Sequence, residues 1–166
     1  MVHTSMTQKI IPNLWFDTEA EEAAEFYTSV FKDGRVLNKT HYTEGAPREA
    51  GMVMTVDWEV NGVRFTGING GPDFKFNEAV SFLISCEDQD EVDYYWEKLG
   101  DGGEEGPCGW LRDRFGLSWQ VVPEGMDELF ADPDPERAQR AMQAMLKMKK
   151  LDIAELQAAA DGVHAS

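Results

Sequence analysis

The feature that most constrains this chain is that its apolar pattern restarts part-way along. An apolar run from Ile10 to Phe16 ends at Asp17-Thr18, which can cap a helix, and Ala23, Phe26, Tyr27, Val30 and Phe31 then recur at helical spacing as far as Gly34. Three strand-like stretches follow, Val36 to Tyr42, Met52 to Val60 and Val63 to Ile68. The last two are joined by Asn61-Gly62, a pair suited to the positive φ angles of a two-residue hairpin. After the turn-rich Asn69-Gly70-Gly71-Pro72, Ala79 to Cys86 is again an apolar strand, and Val92, Tyr95, Trp96 and Leu99 mark one face of a helix beginning near Asp88. A shift of 69 positions lays Ala23 on Val92, Phe26 on Tyr95, Tyr27 on Trp96 and Val30 on Leu99.

Each repeat therefore has a helix with one apolar stripe and strands to cover it, which is the arrangement of an α+β fold. The first reads as βαβββ. The second continues through the Gly-rich Gly102 to Gly109, a strand Trp110 to Asp113, a turn at Arg114-Phe115-Gly116 and a strand Leu117 to Val122 closed by Pro123, so its second strand is short or irregular. The expected division is a flexible start over 1–8, module one over 9–71, a βαβββ-like module two over 72–124 and a helical extension over 125–166. In the extension, Asp134 and Pro135 open a helix with Ala138, Met142, Met145 and Leu146 on one face. Lys147, Lys149 and Lys150 at its end complement the helix dipole. Asp152 with Glu155 starts a last helix that buries Ile153 and Leu156. The Met-rich face suits core or subunit packing, or an adaptable binding surface.

Charge removes several function classes. With 31 Asp and Glu against 15 Lys and Arg, a net charge of −16 repels phosphate backbones and anionic lipid surfaces, so neither nucleic acid nor membrane is expected as a partner. No apolar run approaches the roughly 20 residues of a bilayer span, and MVHTSMTQK lacks the basic-then-apolar order of a secretory signal; a cytoplasmic protein is expected. His3 precedes a second methionine, Met6, that can serve as initiator. Cys86 and Cys108 form neither a CxxC pair nor a disulfide framework and read as packed or partly exposed thiols.

The strings KIIPNLWFDTEAEEAAEFYTSVF, VNGVRFTGINGGPDFKFNEAVSFLISCEDQDEVDYYWEKL and GWLRDRFGLSWQVVP, followed by RAQRAMQAMLKMKKLDIAELQAA, resemble in this order the PhnB-like group of the vicinal oxygen chelate (glyoxalase/bleomycin-resistance) superfamily. The resemblance implies a glyoxalase-like fold in which two βαβββ modules form a curled mixed-sheet cup with helices outside and a ligand within, and it implies a homodimer. It carries the label 3-demethylubiquinone-9 3-methyltransferase-like domain. Methyl transfer calls for an S-adenosylmethionine site, usually a glycine-rich loop after a first strand, and here Ile10 to Phe16 is followed by acidic Asp17 to Glu22 without a glycine. In metal-dependent members, the first and last strand of each module supply His, Glu or Gln ligands. Carried over, those positions fall on Pro12 or Asn13, Thr66, Ser81 and Gln120, so no metal and no cofactor is expected.

The expected ligand-binding residues are Asn13, His41, Thr66, Trp110 and Gln120. Asn13, Thr66 and Gln120 offer hydrogen bonds. His41, the one histidine between the termini, offers an imidazole if its strand turns it inward, or else lies on a solvated face with Thr40 and Tyr42. Trp15, Trp58, Phe65, Trp110 and Trp119 all fall on strands, where they either line the cup or fill the sheet-helix core, and Trp110 beside the Gly-rich loop is the strongest contact candidate. Asp113 and Arg114 read as turn residues. Together these features point to a metal-independent binder of a small organic ligand. A metal-dependent lyase/isomerase or dioxygenase, and an interaction module whose cup is filled by aromatics, stand as alternatives.

Overall fold

The computed structural model describes residues 8–163, so His3, Met6, His164 and the start of the chain lie outside it. The chain divides into two compact units, the first ending at Lys75 and the second beginning at Phe76.

In the first unit, β1 (Asn13–Phe16), α1 (Ala20–Val30), β2 (Arg35–His41), β3 (Val53–Val60) and β4 (Val63–Asn69) make a four-stranded mixed sheet in the order β1-β4-β3-β2. β1 runs parallel to β4 and the other neighbours are antiparallel. Asn61 (φ 50°) and Gly62 (φ 74°) turn the β3–β4 hairpin with Val60 opposite Val63, the two left-handed residues that a tight turn needs to follow the strand twist. Alternation in β3 buries Val56, Trp58 and Val60 against α1, whose Ala20, Ala23, Ala24, Tyr27 and Val30 are buried in return. Tyr27 stacks on Trp58 and Trp58 on Phe65, each at 5.8 Å. Full burial of one such ring stabilises the fold by about 2–3 kcal/mol.

The start of α1 differs from the sequence expectation. Asp17 pairs with Arg48 and the Thr18 hydroxyl bonds Glu19, so neither caps the helix. The Ala20 N–H donates instead to Asn69 Oδ1 at 2.9 Å, a buried side chain from the end of β4 whose amide also donates to Val53 O. A tertiary contact replaces the local one because β4 ends beside the helix start and satisfies one of its orphan donors.

The second unit repeats the pattern with β5 (Ser81–Cys86), α2 (Gln89–Gly100), β6 (Glu104–Glu105), β7 (Trp110–Arg112) and β8 (Ser118–Pro123), in the order β5-β8-β7-β6. Asp88 caps α2 through the Glu91 N–H at 2.9 Å, and Val92, Trp96 and Leu99 are buried. The short second strand anticipated for this module is β6, two residues long. Its fold is thus α+β with the same strand order as the first unit.

Three helices follow: α3 (Met126–Phe130), absent from the sequence reading, α4 (Pro135–Met145) and α5 (Ile153–Ala160). Asp134 and Asp152 cap α4 and α5 as their positions suggest. The extension docks within its own unit, where Met126, Leu151 and Leu156 form a core with Val122, Ala144, Met145 and Met148 around it. The buried face of α4 is a correction. Ala141 is buried, whereas Met142 and Leu146 are 39% and 61% exposed, and Leu146 lies beyond the helix end. On this side Arg140 ties α4 to α5 by donating to the carbonyls of Ala159 and Ala160. Ile153 is only half-buried. The lysines also follow the helix rather than ending it, and Lys150 pairs with Asp93 of α2 at 2.9 Å.

Candidate functional site

Each sheet has a helix on one face, and strand alternation turns the remaining side chains to the other face. On the first sheet the register Asn13–Thr66–Asp57–Asn38 lays a polar row across all four strands, beside a second row Trp15–Ile68–Thr55–Thr40. These groups bond one another. The Thr66 hydroxyl donates to Asp57 Oδ1 at 2.6 Å, Arg64 Nη2 to Asp57 Oδ2 at 2.7 Å, and the Thr40 and Thr55 hydroxyls meet at 2.5 Å. Trp15 lies against Phe74, with its indole N–H on Gly71 O.

On the second sheet the corresponding polar row is Ser81–Ser118–Arg112–Glu104, beside Leu83–Gln120–Trp110. A cavity of about 570 Å³ opens here, lined among others by Trp110, Arg112, Ser118, Cys108, Glu104 and Glu105. Ser118 is 1% exposed and its Oγ has no hydrogen-bond partner among the described residues. A buried hydroxyl in that state costs about 1–3 kcal/mol. Arg112 pairs with Glu104, and Glu105 accepts the Trp96 indole N–H at 2.9 Å.

The Gly-rich loop that walls the cavity is held by the extension. Cys108 and Gly109 N–H donate to Met148 O and Lys149 O, each at 2.8 Å. Gly109 has φ 85°, and a Cβ there would come within 3.0 Å of Leu151 and of Val121 O, so glycine is required for this close approach. Cys108 itself takes φ 59°. The segment between α4 and α5 therefore shapes the site through two backbone bonds.

The expected ligand residues separate into two pairs and one outlier. Asn13 and Thr66 are register partners on the first sheet, Trp110 and Gln120 on the second. His41 is exposed at the end of the edge strand β2, opposite Val53, and joins neither pair. Of the aromatics, Trp58, Phe65 and Trp119 are buried on the helix sides, while Trp15 and Trp110 are half-buried on the opposite faces. Asp113 is a buried turn anchor that accepts from Phe115 N, Leu117 N and the Trp119 indole. Sequence reasoning missed Ser118 and Arg112. Each is two residues from a residue it did single out, Gln120 and Trp110, so the same period-two rule reaches them.

Residues 8–122 match the family model described as 3-demethylubiquinone-9 3-methyltransferase. The chain belongs to this family and is PhnB-like. No curated protein matches. A PhnB protein from Bacillus cereus, itself described as a 3-demethylubiquinone-9 3-methyltransferase, is 33% identical with a TM-score of 0.62, covering 70% of this chain and 99% of its own. Protein PA1353 from Pseudomonas aeruginosa shares the fold at 20% identity and TM-score 0.58, covering 71% and 98%. The fosfomycin resistance protein FosX from Listeria monocytogenes, solved with Mn(II) and dihydroxypropylphosphonic acid, shares it at 14% and 0.50, covering 70% and 91%. The family match ends at Val122, ahead of the α3–α5 extension.

The metal positions implied by the glyoxalase-like resemblance can be tested against the residues of this PhnB-like chain. Pro12 contributes its carbonyl to Thr66 N, and the Asn13 amide donates to Ile11 O. The Thr66 hydroxyl donates to Asp57, and Gln120 Nε2 donates to Ser81 Oγ at 2.9 Å. The side chains at these positions are neutral amides and hydroxyls, the amides bonded through their NH2 groups, and among the described residues no three His, Cys, Asp or Glu side chains gather as metal ligands. The donor set does not fit a catalytic divalent metal, which draws on imidazole, thiolate or carboxylate.

Proposed function

We propose that this PhnB-like chain binds a small organic molecule on the helix-free face of its second sheet, without a metal or other cofactor. The observation that carries this reading is the cavity of about 570 Å³ against Trp110. Its volume lies in the range of small-molecule sites, and a mostly apolar wall with a few polar groups suits orientation of an organic ligand. Gln120 sits in register with Trp110, and Asn13 and Thr66 offer a secondary polar patch on the first sheet. Methyl transfer finds no support in the chain, because β1 leads without a glycine into an acidic helix start capped by Asn69.

In this reading residues 9–71 and 72–124 are the two modules, and 125–166 serves the second by holding the 106–109 loop. The exposed Met142 and Leu146 suit a homodimer contact. The acidic charge suits a cytoplasmic protein with neither nucleic-acid nor membrane partners; no helix among the described residues is long and apolar enough to cross a membrane. Light scattering that gives a monomer at micromolar concentration would remove the dimer.

The deciding experiment is native mass spectrometry with elemental analysis on untagged protein purified from its host. An organic mass that is lost in Trp110→Ala, with metal well below one per chain, is the expected result. Stoichiometric Ni, Fe, Mn or Zn lost in Gln120→Ala would overturn it in favour of a metal-dependent lyase/isomerase or dioxygenase. Neither metal nor organic mass, with no binder in a compound screen, would leave an interaction module.

A further inference from the structure

We propose that the molecule held by the second-sheet cavity is an organic cation: a flat apolar body bearing a protonated nitrogen and one hydrogen-bonding group. This deepens the small-molecule reading and rests on it. Three carboxylates line the cavity, Glu78, Glu104 and Glu105, against the single guanidinium of Arg112. Arg112 is already paired to Glu104, and the partner of Glu105 is an uncharged indole N–H, which leaves that carboxylate's charge in place. Among the described residues two of these negative charges thus have no cationic partner, at a wall that is otherwise largely apolar, and such a wall focuses the field. The remaining charge of the chain, −16 in all, acts in the same direction. An anionic ligand would meet this field head on.

Two further groups define the rest of the ligand. Trp110 presents a half-buried indole, whose π face attracts both a planar apolar ring and a cation. Ser118 supplies the independent sign that something is missing. Its side chain is buried, lines the cavity, and has a hydroxyl with no partner, although buried polar groups are nearly always bonded. Ser118 Oγ is closed to a water-sized atom, so a ligand group satisfies it, as donor or acceptor, by displacing the side chains that cover it, while the charged nitrogen lies toward the carboxylates.

Calorimetry on the full chain with three indoles of matched ring and different charge tests the proposal: tryptamine, 3-methylindole and indole-3-propionate. Tryptamine is expected to bind about tenfold or more tighter than 3-methylindole, with indole-3-propionate weakest and added salt reducing only the preference for tryptamine. Glu78→Gln should narrow the gap between tryptamine and 3-methylindole. Ser118→Ala should weaken tryptamine about three- to tenfold while raising the melting temperature, a pair of opposite shifts that loss of a structural hydroxyl would not produce. Spermine in a fourth arm separates charge alone from charge on a ring, and binding tighter than tryptamine would overturn the flat body. Equal or tighter binding of 3-methylindole or indole-3-propionate, abolished by Trp110→Ala, would overturn the cation and leave the small-molecule reading standing. If no probe binds in a Trp110-dependent way, the organic cation falls, and the small-molecule reading stands or falls with the organic mass carried by the host-purified protein.

Discussion

The helix-free faces of the two sheets have the same strand order and a polar row in the same place, yet they handle their polar groups in opposite ways. On the first, Asp57 collects the Thr66 hydroxyl and the Arg64 guanidinium, and Thr40 closes on Thr55. One orphan remains there, Arg64 Nε, on a side chain whose other end is paired. On the second, the residue that corresponds to Thr66 is Ser118, and its strand neighbour is Arg112 rather than an acid. A hydroxyl beside a guanidinium that is paired elsewhere finds no acceptor. The cavity lies at that point. A duplicated scaffold can thus use one sheet for its own cohesion and leave the other with unmet hydrogen-bonding capacity.

The widest separation expected between regions concerns the two thiols. Cys86, fully buried on the helix side of β5, is pushed up to about 12 chiefly by burial, with Glu91 and Asp88 adding to it. Its thiolate fraction at pH 8 is on the order of 10⁻⁴. Cys108 is half-buried on the cavity wall. Titration with a thiol reagent should therefore show one reactive group in the native protein and a second only after unfolding. Two fast thiols would mean that the core behind β5 is open. The folded chain keeps the Cys86 proton up to about 12 while the unfolded chain releases it near 9.0, so this group's contribution is intact below pH 9 and stability falls as pH rises from there. Cys86→Ala should flatten that alkaline loss.

Asp57→Ala tests the closed sheet and should lower unfolding free energy by about 2–3 kcal/mol in a denaturant titration, because two donors lose their acceptor. A loss no larger than that of a surface substitution would dissolve the contrast between the sheets. Asn69→Ala, which removes the cross-chain cap of α1, should cost about 2 kcal/mol. The finest test pairs Thr66→Val with Ser118→Ala. The first should destabilise by about 1 kcal/mol and the second should stabilise by up to about 1 kcal/mol, since one removes a made bond and the other an unmade one. Shifts of the same sign would erase the difference.

Much of the scaffold was legible because it rests on local rules. The Asn61-Gly62 turn, the caps at Asp88, Asp134 and Asp152, and the repeated apolar face of α1 and α2 each involve residues within a few positions of one another. Trp110 and Gln120 were also legible as strand residues, and the structure places them side by side. The misses share a different cause. Asn69 caps a helix 49 positions earlier, Arg140 ties α4 to the end of α5, and Met148 and Lys149 pin a loop some 40 residues before them. No window of neighbouring residues contains both partners of such a contact.

By itself the sequence determined a pair of strand-helix units, their α+β class and an electrostatic character hostile to polyanions. Periodicity and net charge belong to residue order and composition, and folding does not alter them. Only the tertiary structure decided that Thr66 would have Asp57 as a neighbour and Ser118 would not, and that the extension would hold the loop that walls a cavity beside Trp110. Hydrogen-bond satisfaction and enclosed volume depend on which distant segments meet, and in this chain that difference separates a closed sheet from an open one.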